Sequence, residues 1–257
     1  MKKSGLIRFV PPAVFICSVI FVWNLLSTLH IINEYILPSP VTVFHTCSVL
    51  VSSGELFADV SISLLRVARG FSIAFGIAFI LGMISSVVPV SKWFFEYLVH
   101  FFKNVPPLSM IPILILWAGI GEVTKTVIII LASFFPMYMS IVKGFTGCDK
   151  KLLEVGKVFE YSRMKLFLRT VLPSAVADIL VGMRIGLGYA WRAIIGAEMV
   201  AASTGLGHMI LFSQQMARTD KVIAGIFVIG LTGYLCDRFF ALLASKFMKG
   251  ADADERD

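Results

Sequence analysis

Charge is scarce in this sequence: 15 % of the 257 residues are Asp, Glu, Lys or Arg, against 58 % hydrophobic ones. Soluble domains carry about 25 % charge and about 45–50 % apolar residues. The balance excludes an ordinary water-soluble globule and places the chain in lipid, as does a mean hydropathy of +0.87. Cysteine is scarce as well. Cys17, Cys47, Cys148 and Cys236 are scattered without a CxxC pair, and read as small buried hydrophobes rather than a disulfide or metal framework. His30, His45, His100 and His208 are equally dispersed, so no metal site is expected. GxSxG, HExxH and DxDxDG patterns are missing. The nearest phosphate-loop lookalike, "GIGEVTKT" at 119–126, has Thr124 where the second glycine is required. The expectation is a chain that is not an enzyme by itself and holds no cofactor or metal.

Long apolar runs are what the sequence has in abundance. A spanning helix needs roughly 20 apolar residues, and six segments meet or approach this: 9–29, 62–90, 104–121, 126–143, 175–200 and 222–245. The start, "MKKSGLIR" before an apolar run, imitates a signal peptide, but the run is long and no small-x-small site follows it. An uncleaved first transmembrane helix is expected. The third segment, "NVPPLSMIPILILWAGIG", carries Pro106, Pro107 and Pro112, which predict a kinked or broken span beside a pathway.

A net charge of +7 could suggest nucleic acid, yet Lys and Arg sit at the ends of the apolar runs. That is the positive-inside pattern of membrane proteins, and no nucleic-acid partner is expected. Residues 30–59 contain no Lys or Arg, whereas 143–169 carry Lys143, Lys150, Lys151, Lys157, Arg163, Lys165 and Arg169. With six spans, both termini and the loop around 144–170 fall on the cytoplasmic side, and 30–59 and 201–221 on the external side. "STGLGHMI", 203–210, is expected to turn back into an external vestibule.

The basic loop is patterned. Leu152, Val155 and Phe159 recur at helical spacing with Val158 beside them, and Lys150, Glu154 and Lys157 are charge neighbours on the other face. Ser162 can cap a second short helix, and Pro173 marks re-entry into the membrane. Such a helix pair can lie on lipid, pack under its own bundle or dock into a soluble partner; periodicity does not choose.

At these residues the chain resembles the permeases of bacterial ABC importers. "LLEVGKVFEYSRMKLFLRTVLP" matches the spacing of their EAA loop, with Glu154 opening the motif and Leu172-Pro173 closing it. Val155 and Gly156 stand at the two alanines, Glu160 at the glycine and Thr170 at the isoleucine. The glycine normally permits a turn, so Glu160 is expected to adopt a left-handed conformation at ~1–2 kcal/mol. "ILPSP", "SGELFADVSISLLRVARGF", "KNVPPLSMIPILILWAGIGE", "FFPMYMSIVKGF" and "GAEMVAASTGLGHMI" extend the likeness to permeases that import sulfonates, taurine or nitrate.

The resemblance implies an all-α polytopic bundle of six transmembrane helices in the inner membrane, both termini cytoplasmic. An N-terminal helix and external loop (1–58) would precede a five-helix core (59–249) containing the coupling loop (148–172), with 250–257 a cytoplasmic tail. It implies ABC ATPase subunits that hold ATP and Mg, an extracytoplasmic substrate-binding protein, a permease homodimer and membrane lipid as partners. Leu152, Leu153, Glu154, Val155, Gly156, Lys157, Phe159, Glu160, Leu172 and Pro173 would form the ATPase-coupling element.

Ionisable residues inside spans cost ~2.5–3.5 kcal/mol each near the bilayer centre, and so are functional candidates. Arg184 and Arg192 are eight apart on one helix face, and Arg192 and Glu198 are either a structural pair or pathway groups. Pro106, Pro107 and Trp117 are further pathway candidates. Arg66 and Arg69 are interfacial anchors or entrance residues; Asp237 and Arg238 are an interhelical pair or snorkelled charges. Gly182, Gly186 and Gly188 form a small-residue face for helix packing. The substrate is a small anion by this reading, with an uncharged vitamin precursor as the alternative. A secondary transporter would show inverted halves, and the large basic loop has no counterpart in the first half.

Overall fold

Long uncharged runs leave the backbone no partner but itself in lipid, so they form helices. In the computed structural model, which describes residues 4–29 and 31–254 (side chains for 14–29, 31–88 and 94–246), the described residues are helical with short connections. The elements are α1 (Ser4–Thr28), α2 (Pro40–Ser52), α3 (Glu55–Val87), α4 (Pro89–Phe102), a 3-10 turn (Pro107–Met110), α5 (Ile111–Ala118) and α6 (Glu122–Thr146). There follow α7 (Lys150–Val158), α8 (Arg163–Leu166), a π turn (Phe167–Val171), α9 (Leu172–Ala201), α10 (Leu206–Gln215) and α11 (Thr219–Asp254). Among the described residues, four helical stretches are long and apolar enough to cross a membrane: 55–87, 122–146, 163–201 and 219–246.

Glycines set the relative directions. A Cβ on Gly70 would lie 2.6 Å from Ile129 Cγ2, and one on Gly82 would lie 2.6 Å from Ile141 Cγ2. Residue numbers rise together, so α3 and α6 run parallel. Gly144 meets Ala175 and Asp178, Gly182 meets Ser140, and Gly186 meets Met137; α9 is therefore antiparallel to α6. Trp191 Nε1 donates to Ile229 O at 3.2 Å and Arg184 pairs with Asp237, so α11 is antiparallel to α9.

A parallel α3 and α6 require the chain to return between them. The return is made by α4 and the Pro107–Ala118 stretch, bent by 85° at 103–106 rather than drawn as one helix. The expected single span 104–121 is thus a short helix after a sharp corner, with a preceding helix where a turn was expected. Pro106 is extended (φ −62°, ψ 125°), as expected for a residue followed by proline.

Three further boundaries differ from the sequence reading. The stretch 30–59, free of Lys and Arg, contains α2: the Ser39 hydroxyl accepts from Thr42 N at 3.2 Å, and Pro40 pre-sets the first turn. Helix α3 starts at Glu55, so the boundary drawn at 58/59 falls inside it. Helix α9 continues from α8 through the π turn, without a break at Pro173. Cys17, expected among buried hydrophobes, is exposed on α1.

Two buried clusters divide the core along its length. One, containing Ile128, Ile129, Ala190, Ile194 and Leu206, lies toward α10. The other, containing Ala74, Ala78, Met137, Ile141, Phe145 and Ala175, lies toward α7 and α8. These two ends are called the opposite end and the basic end below.

Candidate functional site

At the basic end, α7 and α8 form an elbow. Asp149 caps α7 by accepting from Lys151 N at 2.9 Å, and Ser162 caps α8 by accepting from Lys165 N at 3.3 Å. Between them Glu160 takes φ +53°, the left-handed conformation expected there from the loop spacing. The fold uses its glycine elsewhere: Gly156 is buried, and a Cβ there would overlap Leu166 Cδ1. Tyr161 N closes the corner on Gly156 O at 3.0 Å. A small residue at 156 therefore lets α8 lie against α7.

The apolar face of α7 is largely open: among the described residues its ring contact is Phe159 with Tyr161, 6.0 Å between centres, next to the corner itself. Leu152, Val155, Val158 and Phe159 are exposed, Leu153 is half-buried, and Glu154 and Lys157 are exposed on the other face. Of the three destinations open to the amphipathic loop, packing under its own bundle does not describe α7. Leu172 and Pro173 lie at the start of α9. Pro173 removes an N–H and crowds the carbonyl four residues back, and the helix widens there: Leu172 N donates to Phe167 O, five residues earlier. Phe167 is buried at this joint. Its ring meets Phe145 at 5.0 Å, Phe145 meets Phe79 at 5.8 Å, and Phe79 meets Phe75 at 5.9 Å, a stack leading from the elbow through α6 to α3.

The opposite end is built from charge. Glu198 is fully buried and Arg66 nearly so. Arg66 Nη1 donates to Glu198 Oε1 and Thr204 O, both at 2.8 Å; Nη2 donates to Glu122 Oε1 and Thr204 Oγ1; Nε donates to Glu122. All five guanidinium N–H groups thereby have acceptors. Buried Lys125 adds a 2.6 Å bond to Glu122, giving two cations and two carboxylates, neutral together.

The same carboxylate caps α10. Gly205 N donates to Asp59 Oδ1 at 2.8 Å, Leu206 N to Ser63 Oγ at 3.1 Å and Gly207 N to Glu198 Oε2 at 3.0 Å. A helix N-terminus leaves its first N–H groups without internal partners and favours negative charge; here α3 and α9 supply the acceptors. Gly205 (φ +107°) and Gly207 have no space for a Cβ, because the Glu198 side chain and Ile195 O occupy it. That explains the spacing of "EMVAASTGLG". Beside this cap lies a cavity of about 590 Å³, lined by Glu55, Asp59, Thr204, His208, Arg218 and Lys221 among others.

Sequence reasoning placed Glu198 with Arg192 or on a pathway; the structure pairs it with Arg66, which had been read as an anchor or entrance residue. Arg192 is exposed, its Nε donating to Gly188 O at 2.9 Å and its guanidinium 5.0 Å from the Tyr189 ring centre. It shares a stripe with Gly188 and Gly196, and Leu108 packs on Gly196, so the Pro106–Pro107 corner lies along this face of α9. Pro106 is exposed, Pro107 half-buried and Trp117 71 % exposed. Gly182 and Gly186 admit α6; Gly188 meets only the Arg192 guanidinium. Glu122 and Lys125 were not foreseen, although their i,i+3 spacing at a helix start was a visible signal.

The chain is similar to known proteins. Residues 74–249 match the family described as binding-protein-dependent transport system inner membrane component. A Bacillus subtilis protein named as an aliphatic sulfonates transport permease, SsuC, is 35 % identical over 92 % of this chain and 86 % of its own length. The taurine transport system permease protein TauC of Escherichia coli is 30 % identical over 84 % of this chain and 80 % of its own. The nitrate import permease protein NrtB of Synechocystis is 29 % identical over 93 % and 89 %. A chain of the inward-facing MetNI methionine ABC transporter superposes with a TM-score of 0.53 at 14 % identity, covering 73 % of this chain and 94 % of that one, a likeness of fold.

Proposed function

As this chain belongs to the family of binding-protein-dependent transport inner membrane components, we propose that it is the pathway-forming subunit of an ABC importer for a small organic or inorganic oxyanion. The exposed apolar face of α7 on a capped, glycine-locked elbow carries this reading. Exposed Leu152, Val155 and Phe159 offer anchors to a cleft in a separate ATPase, with Glu154 and Lys157 at the rim. ATP and its Mg bind in that partner, and hydrolysis occurs there.

The parallel course of α3 and α6 supports six crossings: α1, α3, the α4–α5 corner, α6, α9 and α11. The basic end then faces the cytoplasm with both termini, and the α10 end faces outward toward a substrate-binding protein. Alternating access proceeds in a permease homodimer. Movement of the elbow passes through the π turn and the Phe167–Phe145–Phe79 stack to α6 and α3. Arg192, with its guanidinium not neutralised by a carboxylate among the described residues, lies along the face of the α4–α5 corner and suits an anion. The sulfonate, taurine and nitrate assignments of the relatives support the same class.

The test is uptake into proteoliposomes by the permease with its cognate ATPase and binding protein. Labelled alkanesulfonate, taurine and nitrate are supplied, with and without ATP. ATP-dependent uptake of one of them, reduced by Arg192→Gln with hydrolysis retained, is expected. Uptake of an uncharged solute instead, indifferent to Arg192→Gln, would refute the anion assignment.

A further inference from the structure

At the basic end the last turns of α3 and the elbow enclose a cavity of about 300 Å³. Met83, Ile84, Val87 and Val88 line it from α3, and Met164 and Phe167 from α8 and the π turn. Among the described lining residues the charged one is Arg163, exposed and without an ion pair among the described residues. We propose that this cavity binds an anionic phospholipid of the cytoplasmic leaflet, with an acyl chain between α3 and the elbow and the headgroup phosphate on Arg163. The proposal rests on the orientation given above, with the basic end in the cytoplasm.

Position and charge both select this occupant. The cavity lies where α3 ends, at the same end of the bundle as Gly82, Ile141 and Phe145, so its apolar wall meets the bilayer boundary as the first loop cations begin. The segment 143–169 holds seven Lys or Arg against Asp149, Glu154 and Glu160. Lys165 Nζ lies 4.3 Å from the Tyr161 ring centre, which places a second cation on the elbow that bears Arg163. An apolar cleft beside a spanning helix with an arginine at its cytoplasmic mouth, on a loop rich in cations, has the chemistry of an acidic lipid site. A neutral lipid would satisfy the wall and leave Arg163 unmatched. Because one wall is α3 and the other is α8, the bound lipid would also brace the elbow against the bundle.

The experiment is native mass spectrometry of the permease–ATPase complex, released from nanodiscs of phosphatidylcholine containing phosphatidylglycerol. Wild type is compared with Arg163→Gln, which removes the charge, and Val87→Phe, which fills the cleft from a half-exposed position. Retention of phosphatidylglycerol by wild type is expected, weakened about fivefold by Arg163→Gln, the effect of one interfacial cation, and lost in Val87→Phe. Retention unchanged by both variants, or phosphatidylcholine held as well as phosphatidylglycerol, would overturn the site. Lipid retention is read without transport, so a complex that keeps its lipid but fails to import upholds the site and counts against the importer reading alone.

Discussion

The two ends of this bundle are held together by opposite means. At the opposite end, α3, α6, α9 and α10 converge on Glu198, Arg66, Glu122 and Lys125, and the backbone of 204–207 is bonded to side chains beneath it. At the basic end a buried Ser85–Tyr138 hydrogen bond and an outlying Lys143–Asp178 pair are the polar links, and the other contacts are a glycine notch, a strained corner residue, a widened helical turn and stacked rings. Buried polar networks have few alternative arrangements, because each lost bond leaves a desolvated group unmatched. Apolar stacks and exposed elbows can slide and re-pack at lower cost. The difference assigns rigidity to one end and adjustability to the other, as expected of a machine driven from the basic end.

The comparison breaks first at Glu198. Glu198→Ala leaves Arg66 short of a carboxylate and uncaps α10, so a loss of about 3–5 kcal/mol is expected, with Glu198→Gln intermediate. Thermal unfolding of the purified permease reads it; a fall no larger than at an exposed site would mean that the network is not what fixes this end. Gly186→Leu comes next, at about 1–3 kcal/mol, because its side chain would enter the space of Met137 and part α9 from α6. At the elbow the sign reverses. Glu160→Gly relieves the φ +53° strain and is expected to stabilise by about 1 kcal/mol, whereas Gly156→Ala displaces Leu166 and lowers hydrolysis coupling more than stability.

How much of this was legible depended on range. Composition and run length predicted a helical membrane bundle, because lipid leaves so few solutions. The loop spacing located the elbow, and the glutamate at a glycine position announced the strained Glu160. Arg66 and Glu198 are 132 positions apart, and nothing in local pattern joins them; local reading left a pair with Arg192 as one of several alternatives for Glu198. Helix α2 was missed because its start signal, Ser39-Pro40, lies in a stretch read for its lack of cations and for its likeness to relatives, not for helix caps. The α4–α5 corner was half-read: the prolines marked a break, but the direction of α3 relative to α6, which demands the corner, is a tertiary fact.

The central claim is that the exposed face of α7 is where another subunit drives this one. It is tested most directly by ATP hydrolysis of the reconstituted complex, with binding protein present, comparing wild type with Phe159→Asp. Phe159 is 66 % exposed, so the charge is tolerated by the isolated chain. Loss of ATPase co-purification, or of hydrolysis stimulated by the loaded binding protein, with an unchanged permease melting temperature is the predicted result. Wild-type assembly and stimulation in Phe159→Asp would contradict the account and return α7 to the status of a surface helix.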